Sequence, residues 1–416
     1  MKSMPSTKII IESSIRLEQC ERLIAQIGSG DYPELELPAR LDGLGALGLE
    51  ASLVHLIIAW ARASKNSTLI LPVTREDAPN FLSDLSTTVY GFVALACAKN
   101  VSDRNDFVIA RQDVKKLVTA RLKEFDDTDN PRMHTQEEGV SFVSIYGGQH
   151  EYGRWMFTAP STVDHPKLQS PKQLVSLIGG CIEQIIPSKF SGRFDEERLE
   201  NLGLVAFELL ENAYQHGRLN EYADPIKIGA RGISIRIVEI DIKASNIVAG
   251  GNNFVNLYLI QRALKDKEKE NLFFEMTVFD SGIGYKRWIN ARCNENQGTQ
   301  EYRGKSELET IQNCLLHHAT SKLAAGSGVG LVRVIRLLKA MFGFIRIRTG
   351  QSCYYARLDM THDGHPILLR GNYEEINNPD IKLEEWFPSH SLGESSGTSV
   401  TFCIPLTTWI KAGNNG

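Results

Sequence analysis

Residues 199–216, LENLGLVAFELLENAYQH, decide how the rest of the chain is read. At about 100° per residue, Glu208 and Asn212 fall one helical turn apart on one face, and His216 follows a turn later. Leu202, Val205, Ala206, Leu209, Leu210 and Ala213 line the opposite face. The spacing predicts a helix that buries one side and stacks a carboxylate on a carboxamide on the other. Such a pair suits a hard cation and a water. Asn offers a carbonyl oxygen to Mg²⁺, which keeps most of its waters, and Glu can orient or deprotonate one of them. A solvated polar stripe has the same spacing, so the helix gains meaning only from the glycine motifs downstream.

There are two such motifs. Residues 273–284, FFEMTVFDSGIG, read as an apolar strand that runs into Asp280, Gly282 and Gly284. This places one carboxylate at a sheet end, beside backbone that only glycine folds so tightly. A carboxylate there can accept the exocyclic amine of adenine, and a base without that amine would leave it unpaired. An ordinary Asp-Gly turn is the plain alternative. Further on, Gly326, Gly328, Val329, Gly330 and Leu331 precede the helical pattern VRVIRLLKAMFG. Alternate glycines before a helix expose N–H groups at its positive end, which suits a polyphosphate. Lys322, Arg303 and Lys305 lie in or beside the long polar stretch 285–325 and are candidate cations for the phosphates, although each alone reads as a surface charge. That stretch is expected to be a lid, helical over 307–318. A hairpin is expected over 346–358, and a strand opening on Gly397-Thr398 over 397–405.

Other glycine readings fail. Gly304-Lys305-Ser306 resembles the end of a phosphate-binding loop, but Gly298 lies one residue too far upstream and no buried strand precedes it. The segment 326–331 lacks the GxGxxG spacing of a dinucleotide fold, and no first strand leads into it.

The remaining sequence frames these motifs. At 416 residues with 42% hydrophobic and 23% charged residues, two domains with sizeable cores are expected. A net charge of −4 gives no whole-chain signal for nucleic acid. Seven scattered cysteines without a CxxC pair read as reduced thiols, and no apolar run approaches a membrane span, so a cytoplasmic protein is expected. Residues 1–130 alternate strand and helix: strands at 7–12, 35–41, 67–73 and 107–109, helices at 17–27, 49–63 and 81–98. The class is α/β with a partly parallel sheet. His55 reads as a packed histidine within its helix, and 111–125 as a charged amphipathic helix. The segment 131–169 reads as a linker (polar up to 139) and a strand pair, 140–148 with 154–160, belonging to either neighbour. A helix over 171–186 then leads to the central one.

Glu208 and Asn212 on a helix, Asp280 with its glycines after a strand, GSGVGL before a helix and a late Gly-Thr strand occur in a fixed order. In this the chain resembles the GHKL ATPase superfamily (gyrase, heat-shock chaperone, histidine kinase, MutL) over residues 170–410. The resemblance implies an α+β sandwich of the Bergerat type that binds ATP and Mg²⁺. It implies Glu208 as general base, Asn212 as Mg²⁺ ligand, and Asp280 as adenine reader with Gly282 and Gly284 shaping the pocket. It also implies Lys322, Gly326, Gly328, Val329, Gly330 and Leu331 facing the phosphates, and Thr398 closing the adenine site. The segment 318–322, HATSK, is similar to the mismatch-repair branch, and 208–217, ELLENAYQHG, to the anti-sigma-factor serine kinases. The N-terminal alternation faintly resembles the STAS-like antagonist domain and would serve regulation or a protein partner. The activity implied is ATP hydrolysis that closes the lid as a switch. A serine/threonine kinase and a non-hydrolysing ATP module are the alternatives, and a homodimer is left open.

Overall fold

The computed structural model describes residues 8–42, 46–128, 139–146, 153–158, 167–187, 196–243, 245–265, 271–292, 304–316, 330–360, 381–388 and 390–406. Its first part alternates β1 (Lys8–Ile10), α1 (Leu17–Ser29), β2 (Glu34–Glu36), α2 (Leu49–Ala63), β3 (Thr68–Ile70), α3 (Ala78–Thr87), α4 (Val89–Cys97), β4 (Asn100–Ser102) and α5 (Arg111–Phe125). The four strands form a wholly parallel sheet in sequential order. Every crossover therefore steps the same way, and right-handed crossovers put the helices on one face. There α1 packs on α2, and α2 on α4.

The second part adds β5 (Gly139–Ile145), α6 (Pro171–Ile185), α7 (Glu196–His216), β6 (Ala230–Glu239), α8 (Ser245–Val248), α9 (Asn253–Lys265) and β7 (Leu272–Phe279). After these come α10 (Tyr285–Arg292), α11 (Glu307–Leu316), α12 (Gly330–Ala340), β8 (Phe344–Thr349), β9 (Ser352–Arg357), β10 (Glu384–Glu385) and β11 (Thr398–Pro405). The seven strands form one antiparallel sheet ordered β10-β9-β8-β11-β7-β6-β5. The chain is thus of mixed α/β class, with one parallel and one antiparallel sheet. Helices α6 and α7 pack on each other, α7 packs on β6 and β7, and α12 packs on α7. Ser170 and Gln173 cap α6 reciprocally, with Pro171 pre-set for the first turn.

The antiparallel sheet is buried on both sides, with different chemistry on each. Register puts Ile233, Ile235 and Ile237 beside Val278, Met276 and Phe274, and these beside Val400, Phe402 and Ile404. This apolar face lies under α6 and α7. The alternate positions, Ser234, Arg236, Glu275, Thr277, Thr401, Arg346 and Arg348, face the first part of the chain and are buried as well. Helix α2 lies between the two sheets, which is why twelve of its fifteen residues are buried.

A network of charges joins that polar face to α1 and α2. Glu275 accepts from Arg236 Nη2 at 2.6 Å and Nε at 3.0 Å, and from the amides of Leu47 and Gly48. It thereby caps the start of α2 from another element, favourably placed at the helix's positive end. Gly48 is required there: its φ is +81°, and a Cβ would run into Thr401. Glu21 of α1 takes Arg348 bidentately (2.9 and 3.0 Å to Nε, 2.8 Å to Nη2), and Arg346 reaches Leu47 O and Ser52 Oγ.

Four expectations change. The helix expected over 81–98 is two helices, because Thr88 is extended and caps the second through Gly91 N–H. The fourth strand is Asn100–Ser102, and Val108 makes only a single bridge to Ser102. The strand over 139–145 pairs with β6 at the sheet edge instead of with 154–160, where 153–158 is a turn with one bridge from Phe157 to Leu168. Within 285–325, α10 is a helix that the polar composition concealed. No helix among the described residues is long and apolar enough to cross a membrane.

Candidate functional site

The apolar face of the antiparallel sheet ends in a polar row. One step beyond the last paired residues of β6 and β7 stand Arg231 and Asp280, and across β11 and β8 the same row continues as Thr398 and Thr349. Asp280 N–H donates to Thr398 O at 2.9 Å, and the Thr349 and Thr398 hydroxyls lie 3.0 Å apart. Thr398 and Asp280, far apart in sequence, are therefore neighbours because β11 inserts between β7 and β8.

The end of α7 closes on this row. A Cβ on Gly217, just after the helix, would lie 2.6 Å from Asp280 Cβ, so only glycine permits the approach. Gly282 donates its N–H to Asp280 Oδ1 at 2.7 Å, and Gly284 (φ +77°) turns the chain beside Thr349 Oγ1. Asn212 and Glu208 sit on the same helix, half-buried, about 6 Å and about 12 Å back from His216 along its axis. The His216 ring meets Trp288 of α10 at 4.8 Å, and Leu331, at the start of α12, packs against Ile289 of α10, as do Tyr285 and Trp288. Helix α10 thus bridges the end of α7 and the start of α12, where Gly330 is the first residue.

Asp280 is a buried carboxylate that forms no ion pair among the described residues. Burial pushes its pKa up from 3.8 to about 6, opposed by the Gly282 and Thr398 backbone and by the more distant Arg62 and Arg231. Arg231 is fully buried, its guanidinium 5.0–5.2 Å from the rings of Tyr146, Phe157 and Tyr214. The arrangement is a buried acceptor, moderated by positive charge, packed against the end of the helix that carries a carboxamide and a carboxylate further back.

Glu208, Asn212, Asp280, Gly282, Gly284, Gly330, Leu331 and Thr398 belong to elements that pack together here. Lys322, Gly326, Gly328, Val329 and Arg303 lie outside the described residues, as does the segment 318–322. Lys305 is half-buried before α11, and the phosphate-loop look-alike ending at Ser306 is a helix cap: Ser306 Oγ accepts from Glu309 N–H at 3.2 Å, and Glu309 returns to Ser306 N–H at 2.7 Å. No group of three or more His, Cys, Asp or Glu side chains that could hold a metal occurs among the described residues.

Reasoning from sequence missed Arg231, whose signal was a charge sharing the parity of Ile233, Ile235 and Ile237. It also missed the contribution of α2. His55 Nε2 lies 3.0 Å from Asp280 O and Nδ1 lies 3.0 Å from Ser395 Oγ, while Arg62 donates to Ser281 O at 2.6 Å and Ile228 O at 2.9 Å. Comparison of the chain with protein-family models, with curated proteins and with solved structures finds no match.

Proposed function

We propose that the chain binds ATP with Mg²⁺ and hydrolyses it at a site of the GHKL type. The observation that carries this reading is Asp280: a buried carboxylate without an ion pair among the described residues, aligned with Thr398 and pressed against the end of the helix that bears Asn212 and Glu208. A carboxyl pushed to about 6 is an acceptor short of donors, and the exocyclic amine of adenine is the donor it suits. With the base on Asp280, the phosphates extend along α7 toward Asn212 and Glu208. Asn212 would hold the cation through its carbonyl oxygen, and the bound ion would neutralise phosphate charge. Glu208, a turn further, would take the proton of the attacking water.

The test is ATP binding by calorimetry and Mg²⁺-dependent turnover in the wild type, Glu208→Ala and Asp280→Asn. The wild type should hydrolyse ATP, Glu208→Ala should bind it with turnover lowered about 100-fold or more, and Asp280→Asn should lose binding. A wild type that binds no adenine nucleotide overturns the proposal. Binding without turnover keeps the site and removes the hydrolase, and labelled phosphate arriving on a protein would make the enzyme a kinase.

A further inference from the structure

Helix α2 reaches the candidate site from behind. Gly48 at its N-cap and Ser52, His55 and Arg62 form a sheet-facing stripe on a helix whose other polar side chain is Glu50, which meets Ser234 and Arg236. His55 and Arg62, seven residues apart and so on one face, each bond to a main-chain carbonyl, and the two carbonyls are consecutive: Asp280 O and Ser281 O. The Asp280–Ser281 peptide is fixed from its other sides as well. Asp280 N–H goes to Thr398 O, and Ser281 Oγ donates to Ala230 O at 2.6 Å while accepting from Ala230 N–H at 2.8 Å. A Cβ at Gly397 would overlap the Asp280 carbonyl, so β11 approaches there without a side chain. Turning this peptide would swing both the Asp280 carboxylate and the Gly282 N–H that orients it.

The bonding defines the histidine's tautomer. A carbonyl only accepts, so Nε2 carries the proton, and Nδ1 must then accept from the Ser395 hydroxyl. Ser395 is itself held by its N–H on Gly350 O at 2.7 Å, in the turn between β8 and β9. A chain of bonds therefore runs from that turn through Ser395 and His55 to the carbonyl of Asp280. Burial, followed by the charge of Arg348, lowers the His55 pKa to about 3, and the ring stays neutral in this role.

We infer that His55 and Arg62 are positioning residues for the base-reading carboxylate, so that the N-terminal layer sets the preference of the site for adenine over other bases. This rests on the nucleotide-binding proposal. Packing alone asks His55 only for volume, which a phenyl ring supplies, whereas positioning asks for a donor at the place of Nε2.

The experiment uses the full chain and measures binding of Mg–ATP and Mg–GTP by calorimetry, with thermal unfolding alongside. The wild type should prefer ATP. In His55→Phe the preference should fall by about tenfold or more, through weaker ATP binding, because the Asp280 carbonyl loses its donor. His55→Gln, which can return an N–H to that carbonyl, should restore most of it. Ser395→Ala, which removes one atom, should lower it by a smaller factor. A folded His55→Phe protein with wild-type preference overturns the inference, and so does equal weakening of ATP and GTP, which marks a role in folding alone. If His55→Phe does not fold, Ser395→Ala decides, and an unchanged preference there overturns the inference. A wild type that binds neither nucleotide fails the site reading itself, whereas ATP binding indifferent to His55 and Ser395 fails only the inference.

Discussion

The two faces of the antiparallel sheet are buried alike and held by opposite chemistry. Under α6 and α7, Ile235, Met276 and Phe402 sit side by side across three strands. Under α1 and α2, the rung to one side carries Arg236 and Glu275 and the rung to the other carries Ser234, Thr277, Thr401 and Arg346. Apolar contact is non-directional, so the first face responds to lost volume by degrees. On the second face each group depends on a named partner, and a shift of the N-terminal layer strands a charge in the interior. The polar face thus fixes where α2 lies, and α2 in turn holds the Asp280 peptide. One sheet joins a tolerant core to a demanding interface, and the candidate site stands where the two meet.

Glu275→Ala is the severest challenge to this contrast. It removes the carboxylate 2.6 Å from Arg236 Nη2 and takes the acceptor from the Leu47 and Gly48 amides. The expected loss is about 3–5 kcal/mol by denaturant unfolding. Adding Arg236→Met should recover a large part of it, since removing both charges is far less costly than removing one. A single substitution that costs no more than a surface change, under about 0.5 kcal/mol, would mean the polar face does not hold the layers together.

Asp280→Asn should act in the other direction. The folded protein holds the Asp280 proton with a pKa near 6, against 3.8 for an ordinary carboxyl. Its stabilising contribution is therefore complete below about pH 3.8 and is lost as pH rises through about 6. Asn does not titrate. The variant should gain about 2–3 kcal/mol over the wild type above pH 7, with the gain disappearing near pH 4. Unfolding curves at three pH values test this, and a gain independent of pH would remove burial of the charge as its cause. The wild type thus carries a destabilising carboxylate at the position where a ligand donor is proposed, as binding sites do at some cost in stability.

Much of this architecture was legible. The period of 199–216 gave the central helix, the hairpin expected over 346–358 is β8 and β9, and Asp280 was read at the end of an apolar strand, where it stands at the end of β7. The polar face was not legible, because alternating Ile and Arg describes a half-solvated strand as well as one covered by a polar partner. Only α2 reveals the difference, and its run of apolar residues conceals the stripe of Gly48, Ser52, His55 and Arg62. His55 does pack without exposure, as expected of it, but its partners lie 225 and 340 residues away, beyond any local pattern. The pairing of Thr398 with Asp280 depends likewise on β11 entering between β7 and β8, and sequence order does not announce it.

The smallest effect belongs to the apolar side. Ile235→Val removes one methyl group from the face opposite Arg236, at a position with no exposure. The cost should be about 0.5–1.5 kcal/mol, set by the lost contacts and by how far α6 and α7 settle into the space. The residue is one position from the charge network and points away from it, so its effect should add to that of Glu275→Ala within about 0.5 kcal/mol. A clearly larger departure from additivity would show that the sheet transmits strain from one face to the other, and that the apolar face takes part in holding α2. Additivity would mean that the core under α7 can be repacked while the clamp behind Asp280 stays in place.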